Sequence, residues 1–275
     1  MHLYPICTRT KPNNGVWYSI NSSNLDHVAG QFGLSTDIPA PGDYDADGKT
    51  DRAIFRPSAG EWWVEHSSNG SVIAISLGQS GDIPVARDYN GDHRTDFAVF
   101  RPSNGNWYFV TSDTHSSSSI HFGLSGDLPV PGDYDFDNIA DPAVFRPSDG
   151  TWYTRHPDGS YDVRRFGSAG DRPVQADYDG DGRTDLAVFI GAPVIGAWWI
   201  SLSSTNYAQW MVLHLGFSSD YLVPGQYDGD GKADVAVWRP SIGKWFILKS
   251  SGGPVMEQYF GSSDDVPMPS FYIPQ

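Results

Sequence analysis

The chain of 275 residues contains one cysteine, Cys7, so no disulfide can form within it and its stability must come from packing or from metal. No apolar run approaches the roughly 18 residues of a membrane-spanning helix, and Met1 to Thr10 lacks the basic start and apolar stretch of a secretory signal. A soluble chain with no membrane insertion is therefore expected. Basic residues are few, 18 against 33 acidic ones, and a formal charge of −15 disfavours nucleic acid and anionic membranes as partners, since both reward clustered Lys and Arg. Glutamate is nearly missing: only Glu61, Glu65 and Glu257 occur, so 30 of the 33 acids are Asp. A bias toward the shorter carboxylate implies selection for local geometry. Long stretches of 3.6-residue apolar periodicity are lacking as well, while 30 Gly and 20 Pro favour short strands joined by turns. An all-β protein is expected.

What the chain does contain is a repeat. Phe32-Gly33, Leu77-Gly78, Phe122-Gly123, Phe166-Gly167, Leu215-Gly216 and Phe260-Gly261 recur at spacings of 45, 45, 44, 49 and 45. Each is followed by an Asp with a Pro close behind it (Asp37, Asp82, Asp127, Asp171, Asp220, Asp265). A Gly-x-Trp recurs with the same period at Trp17, Trp62, Trp107, Trp152, Trp198 and Trp245. Such a period announces a propeller or a solenoid. Each unit reads as four short strands: one entering the Phe-Gly, one after the Pro, an Ala-Val-Phe segment and the Trp segment. Four antiparallel strands per unit is the composition of a propeller blade, with a β-sandwich or open solenoid as the other arrangements. The expected fold is one β-propeller over 1–275, with units at about 32–76, 77–121, 122–165, 166–214 and 215–259. A sixth blade would be completed by residues 260–275 joined to 2–31, so that both termini close it.

Five units carry an Asp-rich loop with the spacing of a calcium site. In the first, Asp43, Asp45 and Asp47 at positions 1, 3 and 5 can point inward while the carbonyl of Lys49 at position 7 and Asp51 at position 9 complete an oxygen cage. The second offers Asp88, Asn90, Asp92, Arg94 and Asp96, with His93 where Gly suits the turn. The third offers Asp133, Asp135, Asp137, Ile139 and Asp141, with Asn138 there. The fourth has Asp177, Asp179, Asp181, Arg183 and Asp185. The fifth begins on Gln226 and continues with Asp228, Asp230, Lys232 and Asp234. About five Ca²⁺ are expected, and none at the sixth equivalent position, Ser270-Phe271-Tyr272. Eighteen Asp lie in these loops; without them 15 acidic residues would face 18 basic ones, so the acidity of the chain resides in the loops.

Units such as Gly42-Asp43-Tyr44-Asp45-Ala46-Asp47-Gly48 followed by Ala53-Ile54-Phe55-Arg56-Pro57-Ser58 and Trp62 resemble the FG-GAP/VCBS repeats of integrin-like propellers over nearly the whole chain. The resemblance implies a propeller whose Asp loops bind calcium, working as an extracellular binding or adhesion module, in some members a sugar-binding lectin. The chain departs from it at Gln226, at His93 and Asn138, and at Ile190-Gly191-Ala192-Pro193, where other units have Arg-Pro-Ser.

Chemistry beyond metal is thin. No Gly-x-Ser-x-Gly turn, phosphate-cradling loop or zinc-type His spacing occurs, and the eight His fall at differing places in the repeat, most of them expected at the surface or in loops. The chain is expected not to be an enzyme. The six Gly-x-Trp tryptophans, recurring once per unit, are expected to pack between blades, and the repeated Arg56, Arg101, Arg146 and Arg239 to pair with a neighbouring Asp or stack on an aromatic. Non-repeated aromatics are the better ligand candidates: Trp63, Trp199, Tyr207, Trp210 and Tyr221, with the asymmetric stretch 190–224 as the place for one specialised site. The expected role is lectin-like recognition of a glycan, or adhesion to a cell-surface protein, outside the cell or at its surface, where calcium suffices for loops of this kind. A structural scaffold domain and a polysaccharide hydrolase or lyase are the alternatives. Nothing in the sequence sets the oligomeric state.

Overall fold

The computed structural model describes residues 5–11, 14–21, 27–192 and 194–268. The Ser270 to Tyr272 position and Pro193 lie outside these. The chain divides into two compact units, one spanning Thr36–Ala169, the other made of the described residues up to Ser35 and from Gly170 onward.

In the first unit each repeat forms one four-stranded antiparallel meander. Ile38–Pro39, Arg52–Arg56, Glu61–Glu65 and Val72–Ser76 make one sheet, and 83–121 and 128–165 repeat the pattern. In the second unit, 172–214 and 221–259 do the same. The fold is all-β, a β-propeller. The six expected blades need restating: five sheets are each one continuous repeat, and the remaining four-stranded sheet is composite. Pro5–Lys11, Val16–Asn21 and His27–Gln31 supply only three strands, and Val266–Met268 pairs antiparallel with the first of them. The strand expected after each Pro is also corrected. It is two residues long in the five continuous blades and in four of them ends on the Pro, as in Ile38–Pro39, because proline has no N–H with which to extend a ladder.

Burial explains the sequence of each strand. The Ala-Val-Phe strand is buried on both faces, as at Phe97–Phe100, so it reads as an unbroken apolar run. The Trp strand alternates: Trp62 and Val64 are buried, Glu61, Trp63 and Glu65 half-exposed. The last strand is largely exposed and tolerates Ser117, Ser118 and Ser119.

The repeat markers hold one another. Each Gly-x-Trp indole donates its Nε1–H to the carbonyl of the following Phe-Gly or Leu-Gly: Trp17 to Phe32, Trp62 to Leu77, Trp107 to Phe122, Trp152 to Phe166, Trp198 to Leu215 and Trp245 to Phe260, at 2.7–3.1 Å. Gly105 has φ +70° and an added Cβ would stand 2.2 Å from the Gly123 carbonyl oxygen, which is why glycine precedes the tryptophan. Trp62 also meets Phe97 of the next blade edge-on at 5.7 Å, in keeping with packing between blades.

The repeated arginines form a second set of contacts. Arg56, Arg101, Arg146 and Arg239 grip Asp37, Asp82, Asp127 and Asp220 with two parallel N–H···O bonds of 2.8–3.0 Å. Arg101 and Arg146 lie 4.3 Å over Tyr108 and Tyr153, and Arg239 lies over Phe217 and Phe246. They are framework residues. Where Ile190 takes the place of arginine, Asp171 is not buried as Asp82, Asp127 and Asp220 are.

Candidate metal centres

Each Asp loop hangs between the first two strands of its blade, closed by a bridge such as Gly42 to Asp51. Position 1 shapes the turn. Asp43, Asp88, Asp133 and Asp177 accept the N–H of position 6 (Gly48, His93, Asn138, Gly182) at 2.8–2.9 Å, while Gln226 accepts the N–H of Gly229 instead. Position 6 has positive φ in all five loops, including 64° at both His93 and Asn138, so these two keep the glycine geometry. Position 4 has it as well, at Ala46, Gly91, Phe136, Gly180 and Gly229, a demand the spacing of acids alone does not reveal.

Position 9 is the deepest. Asp51, Asp96, Asp141, Asp185 and Asp234 are at most 1% exposed. Each accepts on Oδ2 the N–H of the position-2 tyrosine (Tyr44, Tyr89, Tyr134, Tyr178, Tyr227), whose hydroxyl donates to a carbonyl four residues before it. These tyrosines anchor the loop to the core. A hairpin at the far end of the Trp strand supplies further donors. Ser67, Ser112, Ser203 and Ser250 give a backbone N–H to Oδ1 of position 9 at 2.6–2.8 Å. The hydroxyls of Ser68, Ser204 and Ser251 reach position 3 (Asp45, Asp179, Asp228). The sequence signal was a Ser-Ser five residues after the tryptophan.

Crowding acids in this way raises their proton affinity. Burial pushes the Asp96 carboxyl up to about 6 and those of Asp141 and Asp185 up to about 7. Asp43, Asp51, Asp133, Asp177 and Asp234 are raised by the same cause. Carboxylate oxygens of Asp43, Asp45 and Asp47, of Asp133, Asp135 and Asp137, and of Asp177, Asp179 and Asp185 lie within 4.8 Å of one another. In the second and fifth loops Asn90 and Gln226 stand among the donors, and no such group of three acids forms there among the described residues. Asp92 Oδ2 and Asp141 Oδ1 are buried without a hydrogen bond. An all-oxygen donor set with excess negative charge and unpaired oxygens fits a hard divalent cation, with the carbonyls of Lys49, Arg94, Ile139, Arg183 and Lys232 at position 7.

The ligand candidates separate. Trp199 and Trp210 come together, ring centroids 5.0 Å apart and 32° between planes, with Trp210 59% exposed on an edge strand. Trp63 does not join them: its indole donates to Glu61 and Arg56 lies over its ring. Tyr207 is held by its hydroxyl to the Thr184 carbonyl, beneath Arg183. Tyr221 packs on Trp238. Two histidines that lie just beyond the Trp strand, His66 and His156, turn toward the first and third loops, where His66 Nδ1 stands 3.4 Å from Asp51.

No family model matches the chain, and no curated protein matches it. Among solved structures it is similar to TolB from Acinetobacter baumannii (TM-score 0.66, 15% identity, 96% of this chain and 66% of that one). It is similar to an Agrocybe aegerita lectin that recognises non-reducing terminal N-acetylglucosamine (0.62, 13%, 99% and 96%). It is also similar to virginiamycin B lyase from Staphylococcus aureus (0.58, 11%, 91% and 79%). At these identities the likeness shows the fold. It also corrects one expectation: an enzyme is built on this fold, so the absence of familiar nucleophile motifs does not make the chain a non-enzyme.

Proposed function

We propose that this protein is a calcium-stabilised propeller of the FG-GAP/VCBS type, working outside the cell or at its surface, that binds a glycan through the Trp199–Trp210 pair. The observation that carries the reading is the exposed Trp210 packed at a tilt against Trp199 in the blade that lacks the framework arginine. Aromatic faces of this kind cover the apolar face of a pyranose ring. The glycan-recognising lectin of the same fold supports the ligand class. In this reading the composite sheet, in which Val266–Met268 pairs with Pro5–Lys11, is a sixth blade. Divalent cations, calcium foremost, would hold the five loops, fixing the hairpins that carry Ser67, Ser203 and Ser250.

A glycan array in millimolar calcium tests this. The wild-type chain is expected to bind a defined set of sugars. Trp210→Ala should weaken that binding about ten-fold or more, with its melting temperature nearly unchanged, and Trp63→Ala should leave binding intact. A folded, calcium-loaded chain that binds no glycan would end the sugar reading.

A further inference from the structure

The first and third loops differ from the others at one point. The fourth residue after the tryptophan is His66 in one and His156 in the other, where Thr111, Leu202 and Lys249 occupy the remaining blades. Both imidazoles are largely buried, 13% and 15% exposed. His156 Nδ1 lies 3.2 Å from Asp135 Oδ2 and 3.4 Å from Asp141 Oδ1. His66 Nδ1 lies 3.5 Å from Asp45 Oδ2 and 3.4 Å from Asp51 Oδ2. The donor atoms of each trio fall within 4.8 Å, and neither Nδ1 has a hydrogen-bond partner. In the third loop the second member is unpaired too. Asp141, whose side chain is fully buried, has no partner for Oδ1 because Pro157 stands where the other blades have a serine N–H. A buried carboxylate oxygen and an imidazole nitrogen, both unpaired, thus converge on one point.

We propose that Asp45, Asp51 and His66, and Asp135, Asp141 and His156, form two mixed nitrogen and oxygen sites for a divalent transition-metal ion of the zinc class. The proposal rests on the reading that the Asp loops hold divalent metal and narrows it for these two. Donors around a tetrahedral ion with bonds of about 2.1 Å stand about 3.4 Å apart, and the nitrogen-to-oxygen separations here are 3.2–3.5 Å. Calcium takes oxygen donors, whereas imidazole nitrogen shifts preference toward zinc and its neighbours. The second, fourth and fifth loops lack an imidazole and remain calcium sites.

Equilibrium dialysis of the full chain against zinc in millimolar calcium, with calcium counted in parallel, tests the assignment. Two zinc equivalents are expected to stay bound. His66→Asn and His156→Asn should each lose one without loss of calcium, and the control His115→Asn should lose none. Cobalt in place of zinc should show the intense visible bands of a tetrahedral site, diminished in each variant. Pro157→Ser, which returns an N–H to Asp141 Oδ1, should weaken the third site with its histidine intact. Calcium bound but no zinc, or zinc unchanged in both histidine variants, overturns the proposal alone; no metal of either kind overturns it together with the reading of the loops.

Discussion

In excess chelator the chain is expected to melt at a higher temperature at about pH 5 than at about pH 7.5, and calcium is expected to reverse that order. The sign follows from the loop carboxyls. Asp141 and Asp185, near 7, and Asp96, near 6, hold protons more tightly in the metal-free fold than an ordinary Asp at 3.8 does in the unfolded chain. Their contribution is therefore fully present below about pH 4 and lost as the pH rises through 6 to 7. Above that the fold carries buried, mutually repelling carboxylates. Acidification should return on the order of 3 kcal/mol, roughly 10 °C for a chain of this size. At neutral pH a cation does what the protons did: a loop at a hundred-fold excess over its dissociation constant gains about 2.7 kcal/mol. The three histidine-free loops together then give about 8 kcal/mol, so calcium should raise the melting temperature by roughly 20 °C. At about pH 5 the same calcium should do much less, since protons compete for the ligands. Calorimetry across these four conditions decides it. A chelated chain that loses stability between about pH 7.5 and 5, or that calcium leaves unchanged at neutral pH, would remove the metal from the account. Asp185→Asn, which ends one of the strongest titrations, should flatten the chelated profile.

Much of this was legible in the residues. The 45-residue period, with its Phe-Gly, Asp and Trp markers, marks the blade, because each marker is one end of a contact that recurs from blade to blade. Positions 1, 3, 5 and 9 of the loops were legible for the same reason. Trp199 stands at a position that is aromatic in every unit (Tyr18, Trp63, Tyr108, Tyr153, Phe246), and what set it apart was Ile190 in place of the arginine that lies over Trp63 in the first blade. What escaped were residues whose role depends on register between strands. The serines and histidines reach the loops only because the Trp strand and the loop-closing strand run antiparallel in a fixed pairing, Arg52 opposite Glu65 in the first blade. Counted from the tryptophan, His66 and His156 hold the same position in their units. Positive φ at Ala46 and Phe136 left no mark in the sequence, since neither residue favours that conformation.

Replacing Arg101 by Ala is expected to cost about 3 kcal/mol and to lower the melting temperature by roughly 10 °C. Asp82 is the reason. Its carboxylate is entirely buried, and it faces Arg101 through two bonds of 2.8 and 2.9 Å. One oxygen also accepts the Gln79 N–H, which fixes the turn entering the blade. Without the guanidinium a buried charge is left with that single amide, and Tyr108 loses both the cation over its ring and the Nη1 donor to its hydroxyl at 3.0 Å. Asp82→Ala should cost nearly as much by freeing the arginine and the turn. The double variant should cost clearly less than the two single losses together, because each already forfeits the shared pair. The fourth blade supplies the contrast. There Ile190 stands in place of arginine and Asp171 is only half-buried as a residue, so Ile190→Arg adds a guanidinium to a blade that is built without one and should change stability by less than about 1 kcal/mol. Equal losses from Arg101→Ala and Ile190→Ala, measured by thermal unfolding at saturating calcium, would mean that the arginine contributes only its alkyl chain. A loss confined to Arg101 and its counterparts Arg56, Arg146 and Arg239 would place the strength of these blades in the paired charge, and would explain why the blade without it is free to carry an exposed aromatic pair instead.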